Sequence, residues 1–139
     1  MNRSLYFIVS FFTLIFWSSC RQDFEFTPST GTLTFSKDTV YLDTVFSNIG
    51  SSTYTLKVYN NSDDDILIPS LKLSNGQNSN YRMNVDGMLG NGTLVGKEFE
   101  NVELLAQDSM FVFIETTIDI QPLVANETQF LYTDAIEFG

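Results

Sequence analysis

Residues 52–73 read STYTLKVYNNSDDDILIPSLKL, and their pattern decides the fold. Apolar and polar side chains alternate over residues 54–58, which is the period of a β-strand with one buried face. The cluster of Asn, Ser and Asp that follows favours a turn. In residues 65–73 the apolar side chains change phase at Pro69, where a residue without an N–H predicts a bulge or an edge-strand kink. This stretch therefore predicts a strand, a turn and a second, kinked strand.

Short alternating runs of the same kind continue along the chain and are separated by turn residues. β-Branched and aromatic residues dominate these runs, and from Cys20 onward no run of ten residues has the 3.6-residue period of a helix. About eight strands at this spacing favour an all-β, immunoglobulin-like antiparallel β-sandwich over a barrel. The predicted strands lie at residues 31–35, 39–46, 52–59, 65–73, 81–85, 99–105, 109–118 and 130–138.

The patterns divide the chain of 139 residues into three parts. Residues 1–19 are a predicted signal peptide, residues 20–31 a tether, and residues 32–139 the β-sandwich, since a chain of this size suits one domain with a single core. The last predicted strand reaches Gly139 without a turn or a returning strand. We therefore expect a sandwich that lacks its last strand.

The charge of the chain excludes several classes of partner. Its formal net charge is −10, with seven Lys and Arg residues against seventeen Asp and Glu residues. A protein that binds nucleic acid needs clustered cations to displace counterions from phosphates, and this chain has no basic stripe. The same shortage disfavours attraction to anionic lipid headgroups. We expect no nucleic-acid partner, and any membrane attachment should be covalent or hydrophobic.

The residue inventory also argues against catalysis. The chain has no His and a single Cys, so it lacks the commonest general base and cannot form an internal disulfide, a thiolate zinc site or a Ser-His-Asp triad. The run at residues 60–65, with three carboxylates at 63–65, could offer oxygen ligands to Ca²⁺, but it lacks the order of an EF-hand loop, and a solvated turn is favoured. We predict no enzyme activity, no catalytic, cofactor-binding or metal-binding residue, and no cofactor.

The N-terminus has the three parts of an export signal. Arg3 supplies a positive charge, residues 5–17 form an apolar stretch too short to span a bilayer, and two serines precede Cys20. This arrangement resembles the lipobox of bacterial lipoproteins, in which the cysteine is acylated and becomes the mature N-terminus. The resemblance implies a palmitate-type anchor on Cys20, and the absence of an Asp after it favours the outer membrane, facing either side. The alternative is an ordinary signal peptide cut near Ser19, with Cys20 a free thiol.

A further resemblance covers nearly all of the mature chain. The run DTVYLDTVFSNIGSSTYTLKVYNNSDDDILIPSLKLSNG at residues 38–76, with YRMNVDG at 81–87 and DSMFVFI at 108–114, is similar to a family of Bacteroidota lipoproteins. In that family an N-terminal immunoglobulin-like domain of the ASH or hydin-like type often precedes a right-handed parallel β-helix. The resemblance implies a structural or interaction module, or the N-terminal part of a polysaccharide-active β-helix enzyme.

The partner itself remains open between a protein and a glycan. Aromatic faces suit sugar rings, and five tyrosines could supply such a platform, although alternation places Tyr54 and Tyr81 inward. In residues 109–118 the alternation directs one set of side chains to the core and leaves Phe111 and Phe113 to cover an edge or the other face. The tyrosines in question are Tyr41, Tyr54, Tyr59, Tyr81 and Tyr132.

Overall fold

The computed structural model describes residues 26–28, 33–46, 48–90, 92–118 and 131–139. The predicted signal peptide, the predicted lipidation site Cys20 and most of the predicted tether lie outside the described residues, as does Phe130. Those assignments remain predictions. Of the strand predicted at residues 130–138, only Ile136–Phe138 form a ladder, and residues 131–135 do not.

The described residues form two β-sheets and no α-helix. In the first sheet β4 pairs with β6 on one side and with both β1 and β8 on the other, whereas the second sheet has the order β2-β3-β7-β5. Every pairing is antiparallel except that of β1 with β4. The strands are β1 (Thr27–Pro28), β2 (Leu33–Phe35), β3 (Tyr54–Asn60), β4 (Ile66–Leu73), β5 (Tyr81–Val85), β6 (Glu98–Leu104), β7 (Ser109–Thr116) and β8 (Ile136–Phe138), with short 3-10 turns at Gly76–Asn78 and Gly92–Leu94.

From β3 to β8, each successive strand belongs to the other sheet. The connections therefore cross the ends of a two-layer structure, and the apolar faces of the two sheets enclose one core between them. This arrangement confirms the predicted all-β sandwich.

The core follows the predicted alternation in each long strand. In β7, Met110, Val112 and Ile114 are buried while Phe111 and Phe113 are exposed, as the period-two pattern predicts. Burial of such side chains stabilises the fold by roughly 1.5–3 kcal/mol each relative to exposure. The buried apolar set from the other strands is Leu56, Val58, Ile66, Ile68, Leu71, Leu73, Met83, Val85, Phe99, Val102 and Leu104.

The kink predicted at Pro69 is present, but it is not an edge-strand feature. Strand β4 has partners on both sides, and Pro69 falls between Leu67, the last residue paired with β1, and Leu71, the first paired with β8. Proline thus occupies a place where its missing N–H costs β4 no ladder bond to β1 or β8. Both phases of β4 are buried because the strand changes its buried face at this point.

Residues 39–46, predicted as a strand, make no ladder. The reason lies at Ser36, whose backbone N–H donates to Lys57 O while its hydroxyl accepts the Lys57 N–H at 3.0 Å. The side chain thus takes the bond that the backbone carbonyl of Ser36 would accept in a regular ladder. The chain then leaves the sheet, and Val40 and Leu42 remain half-buried against the core from outside the ladder.

Candidate interaction surfaces

The solvent-facing side of the first sheet is acidic. Strand β6 presents Glu100 and Glu103, and β8 presents Glu137, which lies 3.5 Å from the ammonium of Lys72 on β4. Charged side chains of this kind keep a sheet face soluble and discourage association between sheets.

The solvent-facing side of the second sheet is aromatic instead. We define the aromatic face as Lys57 and Tyr59 of β3 together with Phe111 and Phe113 of β7. The two Phe rings stack with centroids 6.0 Å apart and an angle of 17° between their planes. Their residues are 43% and 36% exposed, so an apolar patch meets the solvent. Neighbouring strands flank Phe113 with Thr55 and Asn84.

A lysine lies within this aromatic surface. The Lys57 ammonium is 5.1 Å from the Tyr59 ring centroid and 5.3 Å from that of Phe111, which is the range of a cation–π contact. Neither ion pair found among the described residues involves Lys57. The aromatic face therefore carries a positive charge held by rings rather than by a carboxylate.

One end of the aromatic face is bordered by an ordered polar network. Arg82 on β5 donates from two nitrogens to Glu115 on β7, at 2.8 and 3.1 Å, and from a third nitrogen to the hydroxyl of Thr117. Thr53 donates to the other oxygen of Glu115 at 2.5 Å. The Thr53 hydroxyl and, next, the Arg82 guanidinium lower the pKa of Glu115.

A concave feature lies along the open side of the sandwich, and we call it the edge groove. It has a volume of about 800 Å³ and runs between residues 37–42 and residues 131–138. Phe35 of β2 and Phe138 of β8 meet across it with ring centroids 4.9 Å apart. Most of its lining is apolar and comes from Val40, Leu42, Leu56, Leu73, Ile114 and Ile136.

A polar cluster lies at one side of the edge groove. The Tyr81 hydroxyl donates to Tyr132 O at 2.5 Å, and the Lys97 ammonium donates to Ser79 O at 2.8 Å and to Tyr81 O. Burial raises the pKa of Tyr81 and lowers the pKa of Lys97, while the Asp134 carboxylate opposes the shift at Lys97. Because the Lys97 ammonium bonds the backbone carbonyls of Ser79 and Tyr81, it connects the residue before β6 to the start of β5.

The acidic run at residues 63–65 forms a turn, and its carboxylates accept hydrogen bonds that hold the turn against the loop at residues 106–107. Asp65 Oδ1 accepts the Ala106 N–H at 2.8 Å, and Asp63 Oδ1 accepts from the Gln107 amide at 3.1 Å. Within the described ranges, no group of three or more His, Cys, Asp or Glu side chains is placed to hold a metal ion.

Asn60 organises this turn from a buried position, a role that the sequence analysis does not predict. It is fully buried and its amide donates to Asp64 O and Leu105 O, while its carbonyl oxygen accepts from the backbone and the hydroxyl of Ser62. A signal was present, because Asn60 continues the buried phase of Leu56 and Val58. A polar residue in the core phase of a strand indicates a buried hydrogen-bonded group.

Of the five tyrosines considered for a glycan platform, only Tyr59 belongs to the aromatic face. Tyr54 bonds Asp43, and Tyr81 and Tyr132 line the edge groove. Tyr41 is 83% exposed and also lies at that groove. The platform that the structure presents is built mainly from Phe111 and Phe113.

The fold and these surfaces define a two-sheet β-sandwich with an acidic face, an aromatic face and an open edge. No family model matches the chain, no curated protein is similar to it, and no solved structure matches it. In the described part of the chain, no helix is both long enough and apolar enough to cross a membrane.

Proposed function

We propose that this protein is a lipid-anchored, non-catalytic module of the bacterial cell envelope that holds a protein partner on its aromatic face. The observation that carries the proposal is the contrast between the two solvent-facing sides of the sandwich. One sheet exposes carboxylates, whereas the other exposes stacked Phe rings and a ring-held lysine. Exposed apolar patches with polar borders are typical of interaction sites.

Several features of the aromatic face suit a protein partner. Rigid aromatic side chains supply large contact areas at low conformational cost, and they are enriched at the centres of protein interfaces. The bordering ion pair of Arg82 and Glu115 gives the polar rim that such interfaces carry. Lys57 adds a positive charge in a chain of net charge −10, which favours an acidic patch on the partner.

The proposed anchor is the acyl chain on Cys20, with the outer membrane as the expected location. Its support is the export-signal pattern and the sole cysteine of the chain at the end of that signal. Several acyl chains would make the attachment effectively permanent. The first described strand, β1, belongs to the first sheet, whereas the aromatic face lies on the second sheet.

A glycan is the second candidate partner, and one observation favours it. The rings of Phe111 and Phe113 are nearly parallel and partly exposed, and Asn84 and Thr55 flank Phe113 as hydrogen-bonding groups. Aromatic planes accept the apolar faces of sugar rings, and amides and hydroxyls bond sugar hydroxyls.

Two experiments test the proposal. Metabolic labelling with a palmitate analogue should label the wild type and leave Cys20→Ala unlabelled and released from membranes; a wild type without label contradicts the anchor. For the face, photo-crosslinking from position 84 in envelopes should trap one discrete partner. The double variant Phe111→Ser with Phe113→Ser should lose it, while Glu100→Gln with Glu103→Gln on the acidic face should keep it.

The same variants separate the two partners. Retention on a glycan array that disappears in the Phe111→Ser, Phe113→Ser variant would favour the glycan. If that variant keeps both the crosslink and the glycan retention, the aromatic face has no role in binding.

A further inference from the structure

Strand β8 has a backbone edge that no described strand pairs. Its bonds to β4 run through alternate residues, since Ser74 N–H donates to Ala135 O and Gly139 N–H donates to Ser70 O, each at 2.8 Å. In an antiparallel ladder the residues between such pairs direct their N–H and C=O away from the partner. The backbone groups of Ile136 and Phe138 therefore point away from β4.

This free edge lies beside the edge groove. The side chains of Ile136 and Phe138 are half-buried and line the groove, so the strand offers apolar side chains and backbone polar groups at the same place. Val40 and Leu42, which belong to no ladder, also line the groove. An apolar groove of this size is larger than side-chain packing inside a domain normally leaves open.

Two buried polar atoms at the groove also lack a partner. Among the described residues, neither the Tyr132 hydroxyl nor Asp134 Oδ2 has a hydrogen-bond partner, although both atoms are shielded from solvent. Buried polar groups are nearly always paired, and a carboxylate oxygen in such a place calls for a donor. Asp134 Oδ1, by contrast, accepts from the backbone of Asn75 and Ala135.

We propose that the edge groove receives an extended peptide segment of a partner protein, added as a strand beside β8. Such a segment satisfies the free edge and the groove together: its backbone pairs with Ile136 and Phe138, and its alternate apolar side chains enter the groove. Strand addition to an exposed sheet edge works in this way, with affinity from main-chain bonds and selectivity from side-chain pockets. A small apolar molecule would fill the groove and leave the edge of β8 unpaired.

This site is distinct from the aromatic face, which lies on the outer side of the second sheet. The edge groove opens between the two sheets instead, and shares no residue with the face. The inference therefore stands whether or not the aromatic face binds a partner.

The test uses the neutral peptide acetyl-Thr-Val-Thr-Val-Thr-Val-Thr-amide and ¹⁵N-labelled protein. Saturable shifts of the Ile136 and Phe138 amide signals are expected, with Val40→Asp weakening binding at least tenfold and Thr44→Asp, in the same segment, leaving it within about twofold. Two N-methylated peptides, one methylated on the valines and one on the internal threonines, decide the binding mode. In an added strand only one set of N–H groups faces β8, so one methylated peptide should lose binding at least tenfold and the other should keep it.

The alternatives give different results. Equal binding of both methylated peptides would mean that the groove takes apolar groups without strand pairing, and this overturns the proposal. Amide shifts that depend on protein concentration without peptide would assign the groove to a second copy of the chain and also overturn it. Absence of any saturable shift at millimolar peptide does the same.

Discussion

Pro69 of β4 lies opposite Asn101 of β6, at the level where both strands change the face that they bury. The flanking pairs Ile68↔Val102 and Ser70↔Glu100 keep the same register on both sides, so neither strand contains an extra residue. Asn101 has a φ of 52°, in the left-handed region that Asn tolerates better than most residues. The two strands therefore kink together without a bulge. On one side of the kink the first sheet buries the pair Ile68 and Val102, and on the other side it buries the pair Leu71 and Phe99.

Asn101→Val should destabilise the fold by about 1–2 kcal/mol, because a β-branched side chain is strained at positive φ. Urea unfolding followed by circular dichroism measures the change. Glu100→Val, one residue earlier on the same exposed side of β6, is the matched control and should change stability by less than about 0.5 kcal/mol. Equal effects of the two substitutions would show that the backbone conformation at Asn101 carries no cost.

Asn60→Leu should be more damaging, at about 2–4 kcal/mol, although leucine is apolar and similar in size. The substitution leaves the carbonyls of Asp64 and Leu105 and the N–H of Ser62 without the bonds that Asn60 now makes. Chemical denaturation of the variant measures the loss. The exposed neighbour Asn61, whose side chain bonds only the Thr34 hydroxyl among described partners, supplies the control Asn61→Leu, expected within about 0.5 kcal/mol of wild type.

The sequence predicts the long strands well because burial repeats locally every two residues, as in Leu56 and Val58 or Met110 and Val112. It does not predict which strands become neighbours, since pairing joins residues as distant as Tyr54 and Ile114. The strand predicted at residues 39–46 is wrong because Val40 and Leu42 alternate like strand residues, while the single hydroxyl of Ser36 ends the ladder before them.

The aromatic face shows the same limit for the candidate site. Period-two alternation separates Phe111 and Phe113 from the core residues between them, but it cannot say whether another layer covers them. Only the pairing of β7 between β3 and β5 reveals that their side of the second sheet faces solvent and that Lys57 lies beside Phe111.

Glu115 provides a prediction at acidic pH. Its pKa is lowered by the hydroxyl of Thr53 and then by the guanidinium of Arg82, so the folded state favours the charged carboxylate. The stabilisation is present above the unfolded-state pKa, about 4.3, and is lost as pH falls through the lower pKa of the folded state. The stability difference between wild type and Glu115→Gln should therefore be larger at pH 7 than at pH 3.

Carbon-detected NMR titration of the Glu115 carboxyl tests the cause of this shift. Thr53→Val should raise the pKa of Glu115 towards its usual value, because it removes the hydroxyl donor. Thr117→Val removes a hydroxyl that bonds Arg82 but not Glu115, and should change this pKa less. A larger effect of Thr117→Val would assign the shift to the placement of Arg82 instead.

The hydrogen bond between Tyr54 and Asp43 gives a prediction at alkaline pH. The Tyr54 hydroxyl donates to Asp43 Oδ2 at 2.6 Å and accepts from the Asp43 backbone N–H at 3.1 Å, so one phenol fixes residues 37–46 beside the edge groove. The side-chain bond to Asp43 raises the pKa of Tyr54. Because the folded pKa is raised, the stabilisation is complete below the unfolded pKa, about 10, and is lost as pH rises through the folded pKa. NMR titration of ¹³Cζ-labelled tyrosine should show the raised pKa of Tyr54, and Asp43→Asn should lower this pKa while Asp38→Asn leaves it unchanged. Hydrogen exchange of the Asp43 amide, which donates to the Tyr54 hydroxyl, should quicken in Tyr54→Phe at neutral pH; unchanged exchange would mean that other contacts hold the segment.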